Sequence, residues 1–175
     1  PTMKYIALTL SLIFISTSAL AEGRVRTFTV ENSIVIDADI DIVFEFAANP
    51  SNDSEWRSEV NSMEATGPWE IGTVYYEDSH LGFNPHYMTP TILKELETPY
   101  LMVAETPEDN LYLQAKRSFE ELDDGKTLMT YRLEVDVRMP ADATRIYLPQ
   151  FFVELYYNNV MRTYLWRLKN ILENE

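Results

Sequence analysis

The sequence contains no cysteine. Disulfide bonds, thiolate metal sites and cysteine nucleophiles are therefore excluded, and the fold must be stabilised by a hydrophobic core. Glycine is scarce as well, with five among 175 residues. The sequence has neither a glycine-rich phosphate-binding loop nor a Gly-x-Ser-x-Gly nucleophile elbow. These absences argue against a nucleotide-binding protein and against a serine hydrolase.

Basic residues are also few, because 14 Lys and Arg stand against 28 Asp and Glu and give a formal net charge of -14. Binding to nucleic acid depends on Lys and Arg that neutralise phosphates. We therefore expect no nucleic-acid partner, and we interpret the acidity as a source of solubility.

The two histidines, His80 and His86, lie near Glu77 and Asp78. Imidazole and carboxylate groups can together ligate zinc, but a glycine and a proline separate the two histidines, so no single strand or helix fixes their spacing. Two clustered histidines also argue against a Ser-His-Asp triad. The sequence predicts no metal site and no nucleotide, haem or flavin cofactor.

The N-terminus has the three parts of a secretory signal peptide. Lys4 precedes an apolar run at residues 5–15, and small residues follow up to Ala21. The run is shorter than the roughly 20 residues of a membrane-spanning helix. We expect residues 1–21 to be removed and a single ligand-binding domain at 22–175 to reach the periplasm or the medium, without stable membrane insertion. An uncleaved anchor or a helix packed on the domain is the alternative.

The first part of this domain predicts a strand followed by two short helices. Residues 24–36 are rich in Val, Thr, Phe and Ile, which is typical of a strand. Asp39 is suited to cap a helix whose apolar residues begin at Ile40. Residues 51–57 predict a second helical turn with Trp56 as its apolar anchor.

The middle of the chain predicts an antiparallel meander. Between Ser58 and Arg138, about six strand-like runs are separated by turn signals. The clearest signal is Asp124-Gly125, which precedes an alternating segment at 128–137 and is typical of a hairpin. Strand alternation places Tyr76 and Glu77 on opposite faces, but it does not say which face is inward.

The C-terminal part predicts one long helix at about 144–173, with Pro149 in its first turn. At 100° per residue its apolar side chains form two stripes that are not collinear: Leu148, Phe151, Phe152 and Leu155, and Met161, Leu165, Leu168 and Leu172. Asn158, Asn159 and Arg162 lie where the first stripe would continue. They either replace apolar groups on the inward face or lie in water.

This order of elements resembles the START-like superfamily, also called the polyketide cyclase or Bet v 1-like group. The resemblance covers about residues 31–173. It is carried by Ser33-Ile34-Val35-Ile36-Asp37-Ala38, Asp41-Ile42-Val43-Phe44-Glu45-Phe46, Asn49-Pro50, Glu55-Trp56, Ile71-Gly72-Thr73, Asp124-Gly125-Lys126-Thr127 and Trp166-Arg167-Leu168-Lys169-Asn170-Ile171-Leu172.

The resemblance implies an α+β helix-grip fold. In that fold a curved antiparallel sheet of about seven strands wraps around the long C-terminal helix, and two short helices follow strand 1. It also implies an internal cavity for lipids, sterols, polyketides or other apolar ligands. Relatives of this kind include enzymes, carriers and receptors, so the fold alone does not fix the function.

The sequence has eleven tyrosines, a residue type suited to line a cavity for an apolar ligand. A tyrosine ring packs against an apolar ligand while its hydroxyl orients one polar group. If Arg117 or Arg162 points inward, the ligand would be anionic or carbonyl-bearing, unless an internal glutamate pairs with the arginine. The predicted ligand-binding residues are Tyr76, Tyr87, Tyr112, Arg117, Tyr131, Phe152, Leu155, Asn158 and Arg162.

The sequence therefore favours an exported carrier for an apolar or amphipathic small molecule over an enzyme. An aromatase or cyclase acting by proton transfer in the same cavity is the first alternative. A protein-interaction module with a filled cavity is the second. The sequence identifies no catalytic residue, and it gives no oligomeric state.

Overall fold

The computed structural model describes residues 25–174, so the predicted signal peptide lies outside the described residues. Within this range the strands are β1 (Thr27–Ile36), β2 (Val60–Ala65), β3 (Val74–Leu81), β4 (Asn84–Glu97), β5 (Leu101–Glu105), β6 (Leu113–Glu121) and β7 (Thr127–Asp136). The helices are α1 (Ile40–Ala47), α2 (Asp53–Trp56), α3 (Met139–Thr144) and α4 (Gln150–Glu173), with a 3-10 turn at Pro50–Asn52.

The strands described at 25–174 form one curved antiparallel sheet in the order β1-β7-β6-β5-β4-β3-β2. Strands β2 to β7 follow one another as a meander, and β1 closes the far side by pairing with β7 from Thr27 opposite Asp136 to Ile36 opposite Thr127. The predicted hairpin is confirmed, because Gly125 turns the chain between β6 and β7 with φ of 77°.

The two short helices after β1 are confirmed as well. The Asp39 carboxylate caps α1 by accepting the Asp41 amide at 2.9 Å. The 3-10 turn and α2 then place Trp56 in the core, where its side chain is 0% exposed. The chain between β1 and β2 thus packs onto the concave face of the sheet.

Helix α4 begins later than the sequence predicts. Arg145 has a left-handed φ of 58°, which ends α3. Pro149 is extended, with ψ of 138°, and lies one residue before α4 as its N-cap. The predicted helix therefore lacks residues 145–149 and begins at Gln150, since neither conformation continues an α-helix, and the separate helix α3 precedes it.

The inward face of α4 is a single stripe. It begins at Val153 and continues through Tyr157, Val160, Met161, Tyr164, Leu165, Leu168 and Leu172, which are buried or half-buried. The predicted second stripe belongs to it, whereas the predicted first stripe lies in solvent, with Phe151 69% and Phe152 56% exposed. The spacing of three and four residues keeps the inward set on one face.

This seven-stranded sheet around a long C-terminal helix confirms the predicted α+β architecture. In the part of the chain described, no helix is both long and apolar enough to cross a membrane.

Candidate functional site

A cavity lies between the concave face of the sheet, α2 and the middle of α4. Its volume, measured for the centres of water-sized molecules, is about 90 Å³. One water needs about 10 to 15 Å³ on this scale, so the cavity has room for several waters or a small ligand. Its apolar wall consists of Met63, Leu81, Leu113, Ala115, Leu133, Val135, Met139 and Val160.

A buried ion pair between Asp53 and Arg117 forms the base of the polar wall. The Arg117 guanidinium donates to both Asp53 carboxylate oxygens at 2.8 and 2.6 Å, and it donates to the Ala47 carbonyl at 2.8 Å. Both side chains are 2% exposed. The first residue of α2 is thereby fixed to the middle of β6, and this contact holds the short helix against the sheet.

Arg57 connects this pair to two further carboxylates. Its guanidinium donates to Asp53 at 2.9 Å, to both oxygens of Glu77 at 2.8 and 3.0 Å, and to Glu59 at 3.0 Å. Glu77 comes from β3, whereas Glu59 lies in the short connection between α2 and β2. The polar wall therefore joins three carboxylates and two guanidinium groups.

The negative charges of the polar wall raise the pKa values of its two arginines. Burial lowers the pKa of Arg57, but the surrounding charges, led by that of Glu77, together outweigh burial and raise the pKa overall. The same balance holds for Arg117, where burial lowers the pKa, and the charge and hydrogen bonds of Asp53 together with Tyr131 raise it overall. Arg117 also contacts the rings of Trp56 and Tyr131, with 4.9 and 4.8 Å from its central carbon to the ring centroids. Both arginines are therefore charged at neutral pH.

Tyrosines complete the cavity wall. Tyr87, Tyr131, Tyr156, Tyr157 and Tyr164 all line it. Burial raises the pKa of Tyr157 to about 12, and burial also raises the pKa of Tyr164. These phenols are neutral at physiological pH, so they can orient a ligand through hydrogen bonds but do not supply a base.

We expect the folded state to lose stability above pH 10 because of Tyr157. Its folded pKa is raised above the usual value, so its contribution is complete below pH 10 and is lost as the pH rises towards about 12. At pH 11 the loss due to this residue should be roughly 1 kcal/mol. Urea denaturation of Tyr157→Phe at pH 8 and pH 11 should show a smaller decrease than the parent protein shows.

Tyr147→Phe is the matched control for this experiment, because the Tyr147 side chain is 93% exposed. Its pH dependence should equal that of the parent protein. An equal decrease in the parent and in Tyr157→Phe would show that the Tyr157 phenol does not control alkaline stability.

Three of the nine predicted ligand-binding residues line the cavity, namely Tyr87, Arg117 and Tyr131. The Tyr87 hydroxyl donates to Asp142 at 3.0 Å, which ties β4 to α3 beside the cavity. Arg117 is inward, and its partner is an internal carboxylate. The partner is Asp53, where the sequence suggested a glutamate as the competing explanation for an inward arginine.

The other six predicted residues lie away from the cavity. Tyr76 is on the outer face of β3 and 43% exposed, and Tyr112 precedes β6. Phe152 and Leu155 point into solvent because the inward stripe of α4 runs through Val153 and Tyr157. Asn158 and Arg162 instead bind Asn32 of β1, at 3.1 and 3.0 Å, and so attach the helix to the edge of the sheet.

Sequence reasoning missed most of the polar wall. Asp53, Arg57 and Glu59 fall around a short helix where charged residues usually lie in water. Strand alternation did place Glu77 on the face opposite Tyr76, so the exposure of Tyr76 would have turned Glu77 inward. For the other three residues, no local pattern gives such a signal.

The two histidines form separate surface contacts. The His86 ring lies 2.9 Å from the Asp78 carboxylate, and the His80 ring lies 3.2 Å from the Asn61 side chain. Across residues 25–174, no three His, Asp or Glu side chains are grouped in a way that could hold a metal ion.

Comparison with known proteins gives structural matches. No protein-family model and no curated protein sequence matches the chain. A START superfamily protein from Mycobacterium smegmatis has a similar structure, with a TM-score of 0.67 and 12% identity over 83% of this chain and 97% of that one. The chain has the START-like helix-grip fold.

Two di-domain ARO/CYC proteins share this START-like fold. BexL from the BE-7585A biosynthetic pathway matches with a TM-score of 0.63 and 16% identity over 84% of this chain and 50% of that one. StfQ from the steffimycin pathway matches with a TM-score of 0.64 and 11% identity over 85% of this chain and 51% of that one. This chain spans about half the length of each di-domain protein. At these identities the likeness concerns the START-like fold alone.

Proposed function

We propose that this protein is a carrier that binds a small amphipathic molecule in the cavity. One observation carries the proposal: apolar and polar side chains together line a space that side chains do not fill. Cavities of this kind bind a ligand through the apolar wall and orient it through a few polar groups. The volume of about 90 Å³ favours a ligand smaller than a sterol unless side chains rearrange.

The arrangement of the charges supports binding more than catalysis. Asp53, Glu59 and Glu77 all accept hydrogen bonds from guanidinium groups, so at least one oxygen of each carboxylate is already engaged within the protein. Tyr157, with its raised pKa, does not release a proton near neutral pH. The polar wall therefore suits recognition of a polar group on the ligand.

A cyclase-type enzyme is the second candidate, and one observation favours it. The cavity places buried carboxylates next to ordered tyrosines, since the negative charges of Glu59 and Glu77 raise the pKa of Tyr157 beyond the effect of burial. Such a pair could transfer a proton to a substrate. Mass spectrometry of the bound molecule separates the two candidates, because a carrier returns its ligand unchanged.

Native mass spectrometry of the purified protein, followed by organic extraction, tests the binding function. We expect a stoichiometric small molecule, or uptake of an added neutral amphiphile such as 1-hexanol in isothermal titration. An empty protein that also fails to take up 1-hexanol would contradict the proposal.

Filling the cavity should abolish this binding. Ala115 lies on the inward face of β6 and lines the cavity, so Ala115→Phe places a ring in the ligand space. We expect the 1-hexanol affinity to fall at least tenfold, with a stability loss of about 1 to 3 kcal/mol from overpacking. Titration calorimetry measures the first effect, and urea denaturation measures the second.

Lys116→Phe is the matched control, because Lys116 is the next residue on the same strand and lies exposed on the outer face. It adds the same ring without entering the cavity. Its affinity should equal that of the parent protein. Equal losses in both variants would show that the ligand binds elsewhere.

A further inference from the structure

In the polar wall, one carboxylate oxygen accepts no hydrogen bond from the described residues. Glu59 accepts a hydrogen bond from Arg57 through Oε1 at 3.0 Å. Its second oxygen, Oε2, is buried and has no hydrogen-bond partner among residues 25–174. Glu59 lines the cavity. A buried acceptor without a donor costs about 1 to 3 kcal/mol, so this atom would gain from a donor on a bound molecule.

The arginines direct most of their donors to acceptors within the protein. Arg57 directs its donors to Asp53, Glu59 and Glu77, and Arg117 directs both terminal nitrogens to Asp53 and the Ala47 carbonyl. The Arg117 Nε atom has no partner in the described chain, and the rings of Trp56 and Tyr131 lie 4.9 and 4.8 Å from the central carbon of the guanidinium. The positive groups are therefore largely satisfied within the protein.

The charges on the cavity wall do not cancel. Asp53, Glu59 and Glu77 contribute three negative charges, and Arg57 and Arg117 contribute two positive charges, which leaves a formal charge of -1 among the lining residues. The lining tyrosines Tyr157 and Tyr164 are neutral because their pKa values are raised. In a partly desolvated cavity this excess charge favours a cationic group and disfavours an anionic one.

We propose that the ligand is an amphipathic amine whose ammonium group donates a hydrogen bond to Glu59 Oε2 while its apolar part contacts the apolar wall. This inference rests on the proposed binding function and specifies its ligand class. It departs from the expectation from the sequence that an inward Arg117 without an internal partner would select an anionic or carbonyl-bearing ligand. Asp53 removes that expectation because it already neutralises the arginine.

A series of three probes with one alkyl chain tests the inference: hexylamine, 1-hexanol and hexanoate. Isothermal titration against the purified protein should give the highest affinity for hexylamine, a lower one for 1-hexanol, and an affinity for hexanoate at least tenfold below that of hexylamine. Glu59→Gln should reduce the hexylamine affinity about tenfold, because a hydrogen bond to a charged acceptor is lost. It should reduce the 1-hexanol affinity less than the hexylamine affinity, because a hydroxyl donor carries no charge.

Glu64→Gln is the matched control, since Glu64 lies exposed on β2 and does not line the cavity. It should keep the order and the affinities of the parent protein. The probe series on the parent protein does not depend on any variant being folded, and urea denaturation confirms that Glu59→Gln remains folded.

The outcomes separate the inference from the function on which it rests. If 1-hexanol binds but hexylamine binds no better, the cavity binds ligands and the amine inference is wrong. If hexanoate binds best, Arg117 Nε and not Glu59 selects the ligand, and the inference is also wrong. If none of the probes binds and no molecule is co-purified, the binding function fails and the inference fails with it.

Discussion

Replacing Asp53 with alanine is expected to destabilise the fold by roughly 3 to 5 kcal/mol, as is typical when one partner of a buried ion pair is removed. Asp53 is 1% exposed and accepts hydrogen bonds from two guanidinium groups. Arg57 would keep Glu77 and Glu59, but Arg117 would keep only the Ala47 carbonyl among the acceptors described. The uncompensated Arg117 charge therefore accounts for most of the loss, and urea denaturation measures it.

Two further variants make this result specific. Asp124→Ala removes an acidic group of the same type whose ion pair with Lys126 lies in solvent, so the stability loss should stay below about 1 kcal/mol. The double variant Asp53→Leu with Arg117→Met replaces the buried pair by apolar side chains and should recover much of the stability. A double variant that is as unstable as Asp53→Ala would show that the effect is not due to the unpaired charge.

Truncation of Trp56 to alanine should cost about 3 to 5 kcal/mol. The Trp56 ring is 0% exposed and packs against Tyr131 and Tyr164 with centroid distances of 6.1 and 5.8 Å. It also covers one face of the Arg117 guanidinium. The loss would therefore combine an unfilled cavity with the exposure of a buried charge. Urea denaturation and the near-ultraviolet circular dichroism of the folded state report the two effects.

Trp166→Ala provides the comparison, because Trp166 lies on the outer side of α4 and is 58% exposed. We expect its stability to stay within about 0.5 kcal/mol of the parent protein. If the two tryptophan variants lose equal stability, Trp56 is not the anchor of α2 that the packing indicates.

Much of the fold could be predicted because its signals are local. Asp39 caps α1 through an amide two residues away, and Asp124-Gly125 forms a turn between strands that are neighbours in the chain. Such signals depend on a few neighbouring residues, so they can be recognised in the sequence without knowing which distant residues are in contact. The start of α4 was harder to predict, because Arg145 takes a left-handed backbone conformation that is uncommon for arginine.

The candidate site could be predicted only in part, because its contacts are not local. The sequence indicated Tyr87, Arg117 and Tyr131, which line the cavity, but not the partner that satisfies Arg117. Tyr157 was overlooked because the larger apolar residues Phe151 and Phe152 suggested a different inward stripe. The structure turns those side chains outward, since the buried apolar face of α4 runs through Val153 and Leu168.

The polar wall also affects how ligand binding changes the stability and the proteolytic lifetime of the protein. Asp53 and Arg117 are 64 residues apart in the chain, and Arg57 and Glu77 are 20 apart. The wall is therefore assembled only in the complete fold, so a ligand that needs it binds the native state and not the unfolded chain. At a ligand concentration one hundred times the Kd, this selective binding adds about 2.7 kcal/mol to the free energy of unfolding. Proteolytic lifetime, and with it abundance, should then rise and fall with the supply of ligand.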